Sequence, residues 1–206
     1  MRKILVLFAH PRTDRSEVNV VLAEAACRVE GVTFVDLYAE YPTFEIDVER
    51  EQERLLAHDV IVFQHPVYWY SCPALLKEWQ DLVLEHGFAY GAEGRALEGK
   101  VLLNAVTCGA RREVYSLGGG YSHELKDFFA PFEQTAVLCR MRYLPPFALF
   151  AAGHAADENR LQQHVADYGR LLTAIVEDRL DLERAGKGVL LSDHLGDLIT
   201  SPTEVK

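Results

Sequence analysis

Short, continuous apolar runs alternate along the chain with stretches whose apolar residues recur every three to four positions. The runs are Lys3 to Ala9, Val32 to Val35, Val60 to Phe63, Val101 to Val106 and Tyr143 to Ala151. Runs that are apolar throughout suit strands covered on both faces. The helical stripes between them are Val18, Leu22, Ala25 and Val29; a charged stretch from Val48 to His58; and Leu75, Leu76, Trp79, Leu82 and Val83. Two more follow, from Leu125 through Phe128 and Phe129 past Pro131 to Cys139, and Leu161, Val165, Tyr168, Leu172, Ile175 and Val176. Ser16 and Pro73 stand where helix starts are expected. This alternation predicts an α/β fold: a three-layer sandwich around a five-stranded parallel sheet of order 2-1-3-4-5. In that order ligands bind beyond the carboxyl ends of the strands, where the first and third diverge. The loops after strands one, three and four therefore carry the candidate chemistry. Residues 1–183 are expected to form one domain. The tail 184–206 has weak periodicity and is expected to be peripheral, and Tyr38 to Asp47 reads as an aromatic loop.

Composition narrows the picture. The chain has 206 residues with 21 Lys and Arg against 31 Asp and Glu, a formal charge of -10, so a nucleic-acid partner or an anionic membrane surface is disfavoured. No apolar stretch is long enough to span a bilayer and none resembles a leader, so the default location is cytoplasmic. Cys27, Cys72, Cys108 and Cys139 are scattered without metal spacing or a C-x-x-C, which predicts free thiols and no metal site.

The first loop, His10 to Asn19, runs from a buried strand into a helix start, where unpaired N–H groups favour a bound phosphate. It carries neither a Walker loop nor a dinucleotide fingerprint. A capped helix with two solvated arginines, Arg12 and Arg15, is an equal reading of the same residues. The second loop, His65 to Pro73, holds three consecutive aromatics, Tyr68, Trp69 and Tyr70. They suit either a planar ligand or a contact between subunits. The third, Thr107 to Tyr121, offers Gly109 for close backbone approach and a glycine triplet, Gly118 to Gly120, that reads most simply as a hinge. His65 and His154 read as structural.

Four stretches carry a resemblance: Ala9-His10-Pro11 with Ser16-Glu17-Val18-Asn19; Asp36-Leu37-Tyr38-Ala39 on to Ile46-Asp47; Phe63 through Trp79, including Pro66-Val67-Tyr68-Trp69-Tyr70-Ser71-Cys72-Pro73; and His86 to Gly91. On these the chain resembles the flavodoxin-like NAD(P)H:quinone oxidoreductases, and within them the ancillary proteins of glutathione-regulated potassium-efflux systems. The resemblance implies that His10 and Ser16, Glu17, Val18 and Asn19 hold the flavin phosphate and ribityl chain. It implies that Pro66, Val67, Tyr68, Trp69 and Tyr70 receive the ring edge, and that Thr107, Cys108, Gly109 and Ala110 form the second flavin loop. Tyr115 and Tyr121 then stand as catalytic candidates. The family's second loop usually reads Thr-Thr-Gly-Gly, so Cys108 and Ala110 are departures, and Tyr121 replaces a histidine found in some relatives.

The implied activity is two-electron, ping-pong hydride transfer from NADPH or NADH through FMN (FAD in the broader quinone reductases) to a quinone or similar electrophile. Backbone N–H groups of Thr107 to Gly109 would offset the charge of the reduced flavin, and Tyr115 or Tyr121 would donate a proton to the acceptor. A homodimer is also implied. The rival reading is a regulatory subunit docked on the cytosolic face of a potassium-efflux antiporter, with little or no reductase activity, peripheral to the inner membrane only through that partner. A one-electron carrier is the third.

Overall fold

The computed structural model describes residues 1–201. Five parallel strands, β1 (Ile4–Phe8), β2 (Val32–Asp36), β3 (Val60–Pro66), β4 (Val101–Thr107) and β5 (Arg142–Leu149), form one sheet in the order β2-β1-β3-β4-β5. Every residue of β1, β3 and β4 is buried, as continuous apolar runs require of central strands. β2 is only partly buried, at one edge. β5 closes the other edge. Its Pro145 and Pro146 supply no N–H to a ladder, and the pairing with β4 shifts register between Leu103 and Ala105, beside them.

Alternation of side chains splits the core in two. Leu5, Leu7, Ile61 and Phe63 face one layer, made by α2 (Val48–Ala57), α3 (Ala74–Val83) and α4 (Ala130–Leu138). Ile4, Val6, Val60 and Val62 face the other, where α1 (Glu17–Cys27) packs beside α5 (Leu161–Val176). The Ser16 hydroxyl accepts from Asn19 N (3.3 Å) to cap α1, and Asp47 caps α2 at Arg50 N (3.1 Å). The helix expected from Leu125 to Cys139 divides into a 3-10 turn, Leu125–Phe129, and then α4, where Pro131 sits near the start. Within the expected loop Tyr38 to Asp47, the chain first makes one helical turn, Leu37–Glu40, capped by the Asp36 carboxylate.

The charged helix α2 hides a polar knot. Glu51 is fully buried and accepts from the Tyr41 hydroxyl (2.6 Å), the Trp79 indole (2.9 Å) and the Arg54 guanidinium. Burial and this carboxylate push the Tyr41 phenol well above its ordinary range.

The segment after Arg184, expected at the periphery, instead packs against the sheet. Leu190, Leu191, Leu195 and Leu198 are all buried, and Leu180 bridges Ile199. Its leucines lie on a 3-10 turn and a one-turn helix, too short to print a period in the sequence. Residues 202–206 of that tail lie outside the described residues. Among the described residues no helix is long and apolar enough to cross a membrane.

Two outcomes follow from buried polar groups. Glu51→Ala strands Tyr41 and Trp79 and leaves Arg54 to Glu40 alone (3.2 Å), and should cost about 3 kcal/mol by urea unfolding. His164 stacks on Phe147 (4.4 Å between ring centres) with its Nε2 unpartnered, and burial lowers its pKa to about 4 from an ordinary 6.5. Between those values the unfolded chain binds the extra proton, so stability falls as pH drops from about 6.5 towards 4. His164→Phe should lose less stability than the wild type across that window, by up to about 3 kcal/mol.

Candidate functional site

The three loops meet at the carboxyl edge of the sheet. The ladder continues one step past β3, where Val67 N donates to the Thr107 carbonyl (2.8 Å). The Thr107 hydroxyl lies between 3.1 and 3.3 Å from the two polar atoms of the Asn19 amide, 88 residues earlier in the chain. Asn19 also donates to Ser16 Oγ (3.0 Å), and its carbonyl accepts from Gln64, which in turn accepts from Tyr168 (2.9 Å). Asn19 is therefore a pin between the first and third loops, a role its place at a helix start does not disclose.

In the first loop, His10 is nearly buried, and burial holds it below its ordinary pKa. Its Nδ1 accepts from Arg12 N (3.1 Å), so the neutral ring carries its proton on Nε2. The ring stands 6.1 Å from that of Tyr68, which joins loops one and two. Arg12 is committed to Asp14 at 2.8 Å. The first turn of α1, Glu17 to Asn19, lines a cavity of about 630 Å³ whose opposite wall is Ala152, Gly153 and Ala156. That fourth wall, the turn after β5, was not foreseen. The signal for it is Ala151, whose left-handed φ of 47° turns the chain back towards α1.

The second loop makes a two-residue turn, with Tyr68 and Ser71 exchanging backbone hydrogen bonds (3.1 and 3.0 Å). Its central residues, Trp69 (φ 48°) and Tyr70 (φ 63°), both adopt the left-handed conformation. Asn and Gly are the usual occupants of such a turn, so two aromatics here store strain. Trp69 is 90% exposed, which gives it no folding role. Pro66, at the end of β3, is buried, and Val67 packs partly against the core.

In the third loop, Thr107 and Cys108 are buried, and Cys108 is locked by bonds to Leu149 O (2.8 Å) and Ala152 N (3.0 Å). A side chain on Gly109 would meet nothing within 4 Å, so the chain's own packing does not require a glycine there. Ala110 accepts from Ala151 N at 2.9 Å. The glycine triplet is built in rather than slack: Gly118 has φ +87°, and a Cβ on Gly119 would fall 2.4 Å from Glu113 O.

Tyr115 and Tyr121 pack edge to face (5.0 Å), and Tyr121 meets Tyr70 at 5.3 Å, so Tyr121 reaches the second loop directly and Tyr115 through it. Their hydroxyls differ. Tyr115 is buried, with its hydroxyl beside the Cys108 thiol below the rim. Burial raises the Tyr115 phenol, with the thiol adding to it, and pushes Cys108 up to about 12. Tyr121 is half-buried and retains an accessible edge. His65 is structural, with Nδ1 on Pro66 O (2.9 Å) and Nε2 on Asn104 (3.2 Å), whereas His154 is exposed on the turn after β5. Among the described residues no cluster suits a metal ion.

A helix start, a strained aromatic turn and a glycine-bearing loop are thus tied together at the sheet edge where open α/β folds place their ligands. A family model described as flavodoxin-like fold matches residues 2–172, and the chain belongs to that family. It is 47% identical over 167 residues to the glutathione-regulated potassium-efflux system ancillary protein KefG of Serratia proteamaculans, covering 81% of this chain and 91% of that one. General stress protein 14 of Treponema denticola, solved in complex with FMN, is 37% identical with a TM-score of 0.79, over 84% of this chain and 99% of that one. An NADPH-quinone reductase from P. pentosaceus is 32% identical with a TM-score of 0.74, over 82% and 96%.

The buried thiols set a testable pattern of reactivity. Cys27 is the exposed cysteine and should react with a disulfide reagent such as dithiobis(nitrobenzoate) within minutes. Cys108 should label only with global unfolding, as peptide mapping would show; rapid native labelling would mean that its packing against Tyr115 is open.

Proposed function

We propose that the chain is an NAD(P)H-dependent flavin reductase that takes FMN at this rim and passes two electrons to a quinone or similar electrophile. The observation that carries the reading is the convergence of the three loops around Asn19 and Thr107, with exposed, strained aromatics beside a helix start. The residues fit an FMN. The first-turn amides of α1 at Glu17 and Val18, with Ser16, suit its phosphate, and His10 Nε2–H adds a neutral donor. Val67 to Tyr70 offer backbone and ring faces to the edge of a planar tricycle. The open space at Gly109 leaves room for close approach, and Gly109 and Ala110 offer their N–H groups there, the Cys108 N–H being already given to Leu149 O. When bound, the flavin supplies hydride acceptance and donation.

The chain's own work is placement and proton supply. Neutral His10, Ser16 and the helix start favour a phosphate over the carboxylates that dominate the surface. Tyr68, Trp69 and Tyr70 give a nicotinamide or quinone ring a wall to lie against. Tyr115 is buried and belongs to the floor, so the half-buried Tyr121 is the phenol placed to donate to the acceptor oxygen. Relatives solved with FMN favour FMN over FAD, and NADPH is the first co-substrate to test because a neighbour is described as an NADPH-quinone reductase.

Purified protein loaded with FMN should bleach on anaerobic addition of NADPH and recolour with benzoquinone, with parallel initial-rate lines when both substrates vary. Tyr121→Phe should lower kcat on the order of 10²-fold, whereas Tyr115→Phe should stay within a few-fold. Failure to retain any flavin would overturn the reading.

The similarity to KefG favours a second reading, in which the chain is an ancillary subunit of a potassium-efflux system and docks peripherally on a membrane protein. Its exposed Trp69 and Leu117 suit a protein contact, either with such a partner or in a homodimer. Saturable binding to the transporter by a chain that does not oxidise NAD(P)H would establish that reading instead.

A further inference from the structure

The family match ends at residue 172, yet the structure continues in ordered form to residue 201, along the outer edge of β5. Ser192 Oγ accepts from Ala148 N (3.4 Å), within the last residues of that strand. Asp193 then grips Arg112 with both carboxylate oxygens, at 2.7 and 2.5 Å. Arg112 begins the 3-10 turn Arg112–Val114, the middle of the third loop. Its carbonyl accepts from Tyr115 N (2.9 Å), and its guanidinium lies 5.7 Å from the centre of the Phe150 ring. Phe150 in turn packs at 5.5 Å against Tyr115, which carries Tyr121 on its other side. The aromatic wall is thus tied to the C-terminal segment through one planar, two-pronged ion pair.

We propose that Asp193 is a positioning residue: through Arg112 the C-terminal segment sets the placement of Tyr115 and Tyr121, and with it the affinity of the rim for the electron acceptor. The inference rests on the flavin reading for its kinetic consequence and on geometry alone for its mechanical one. Thr107 and Cys108 are fixed by the sheet, so the first part of the loop holds without the segment. From Arg111 onward the chain leaves the sheet; besides the ring contacts of Tyr115 and Tyr121, its ion-pair ties to the rest of the fold among the described residues are the Arg111–Glu158 pair (2.5 Å) and the Arg112–Asp193 pair. Arg112 and Asp193 are 55% and 22% exposed, so the fork is within reach of salt, and screening should imitate the loss of the carboxylate.

The test uses the full FMN-loaded chain with benzoquinone, a neutral acceptor whose own binding salt does not perturb through charge. Asp193→Asn and Asp193→Ala should raise the KM for benzoquinone three- to tenfold in low salt, with kcat within twofold. Wild type in 1 M NaCl should rise to the same KM, while the variants stay where they are. A chain with the pair exchanged, Arg112→Asp with Asp193→Arg, should recover at least half of the lost affinity. Hydrogen exchange of the flavin-free protein should be faster in the variants for amides 112–121 and unchanged for 101–108. Unaltered exchange in 112–121, or a KM that neither the variants nor salt move, would overturn the proposal. If the wild type reduces no acceptor at all, it is the flavin reading that has failed, and the exchange result alone decides whether the segment holds the loop.

Discussion

Everything at the rim hangs on how the sheet finishes. A parallel sheet ends in a row of backbone groups that have lost their partners, and those groups must be satisfied before any loop can hold a shape. Here Thr107 does this twice. Its carbonyl takes the N–H of Val67, and its hydroxyl meets the amide of Asn19, which also holds the cap of α1. A buried network of this kind is stable only when complete, and the line from Tyr168 through Gln64 to Asn19 completes it on the α5 side. Three segments far apart in the chain become one rigid edge because a threonine and an asparagine meet there and each also holds its own segment. Asparagine at position 19 therefore serves the architecture first, and whatever the rim holds is held by the helix start it steadies.

The layered architecture was legible in the residues because apolar runs and apolar stripes have different periods, and five buried runs alternating with helices suit the doubly wound order 2-1-3-4-5. The three loops were legible as a consequence of that order. What the residues did not disclose has physical causes. The left-handed turn at Trp69 and Tyr70 breaks the usual rule for turn residues, so composition argues against the conformation that tertiary structure imposes. Glu51 sits in a helix that reads as solvated, because one buried carboxylate among five other polar residues leaves no trace in a period. The burial of Tyr115 against Phe150 is a contact across folded structure that spacing does not encode. The packed C-terminal leucines escaped because each pair lies on a turn or two of helix.

The two edges of the sheet are treated differently. β2 is short and partly exposed, flanked by the Asp36-capped turn. β5 carries two prolines, and the C-terminal segment lies beside it. An edge that offers few N–H groups and is then covered is a poor template for adding strands from another chain. Among the loop side chains, Trp69 and Leu117 are the large apolar ones most open to water.

The chain has two tryptophans, and the fold has sent them to opposite fates. Trp79 is fully enclosed, its indole bonded to Glu51 and its ring against Phe63 at 5.7 Å, while Trp69 stands almost wholly in water. Their fluorescence is therefore already sorted by environment: a blue component that belongs to the interior and follows unfolding, and a red one, open to collisional quenchers, that belongs to the rim. The molecule carries its own pair of optical reporters, one for whether it is folded and one for what comes to lie on its surface.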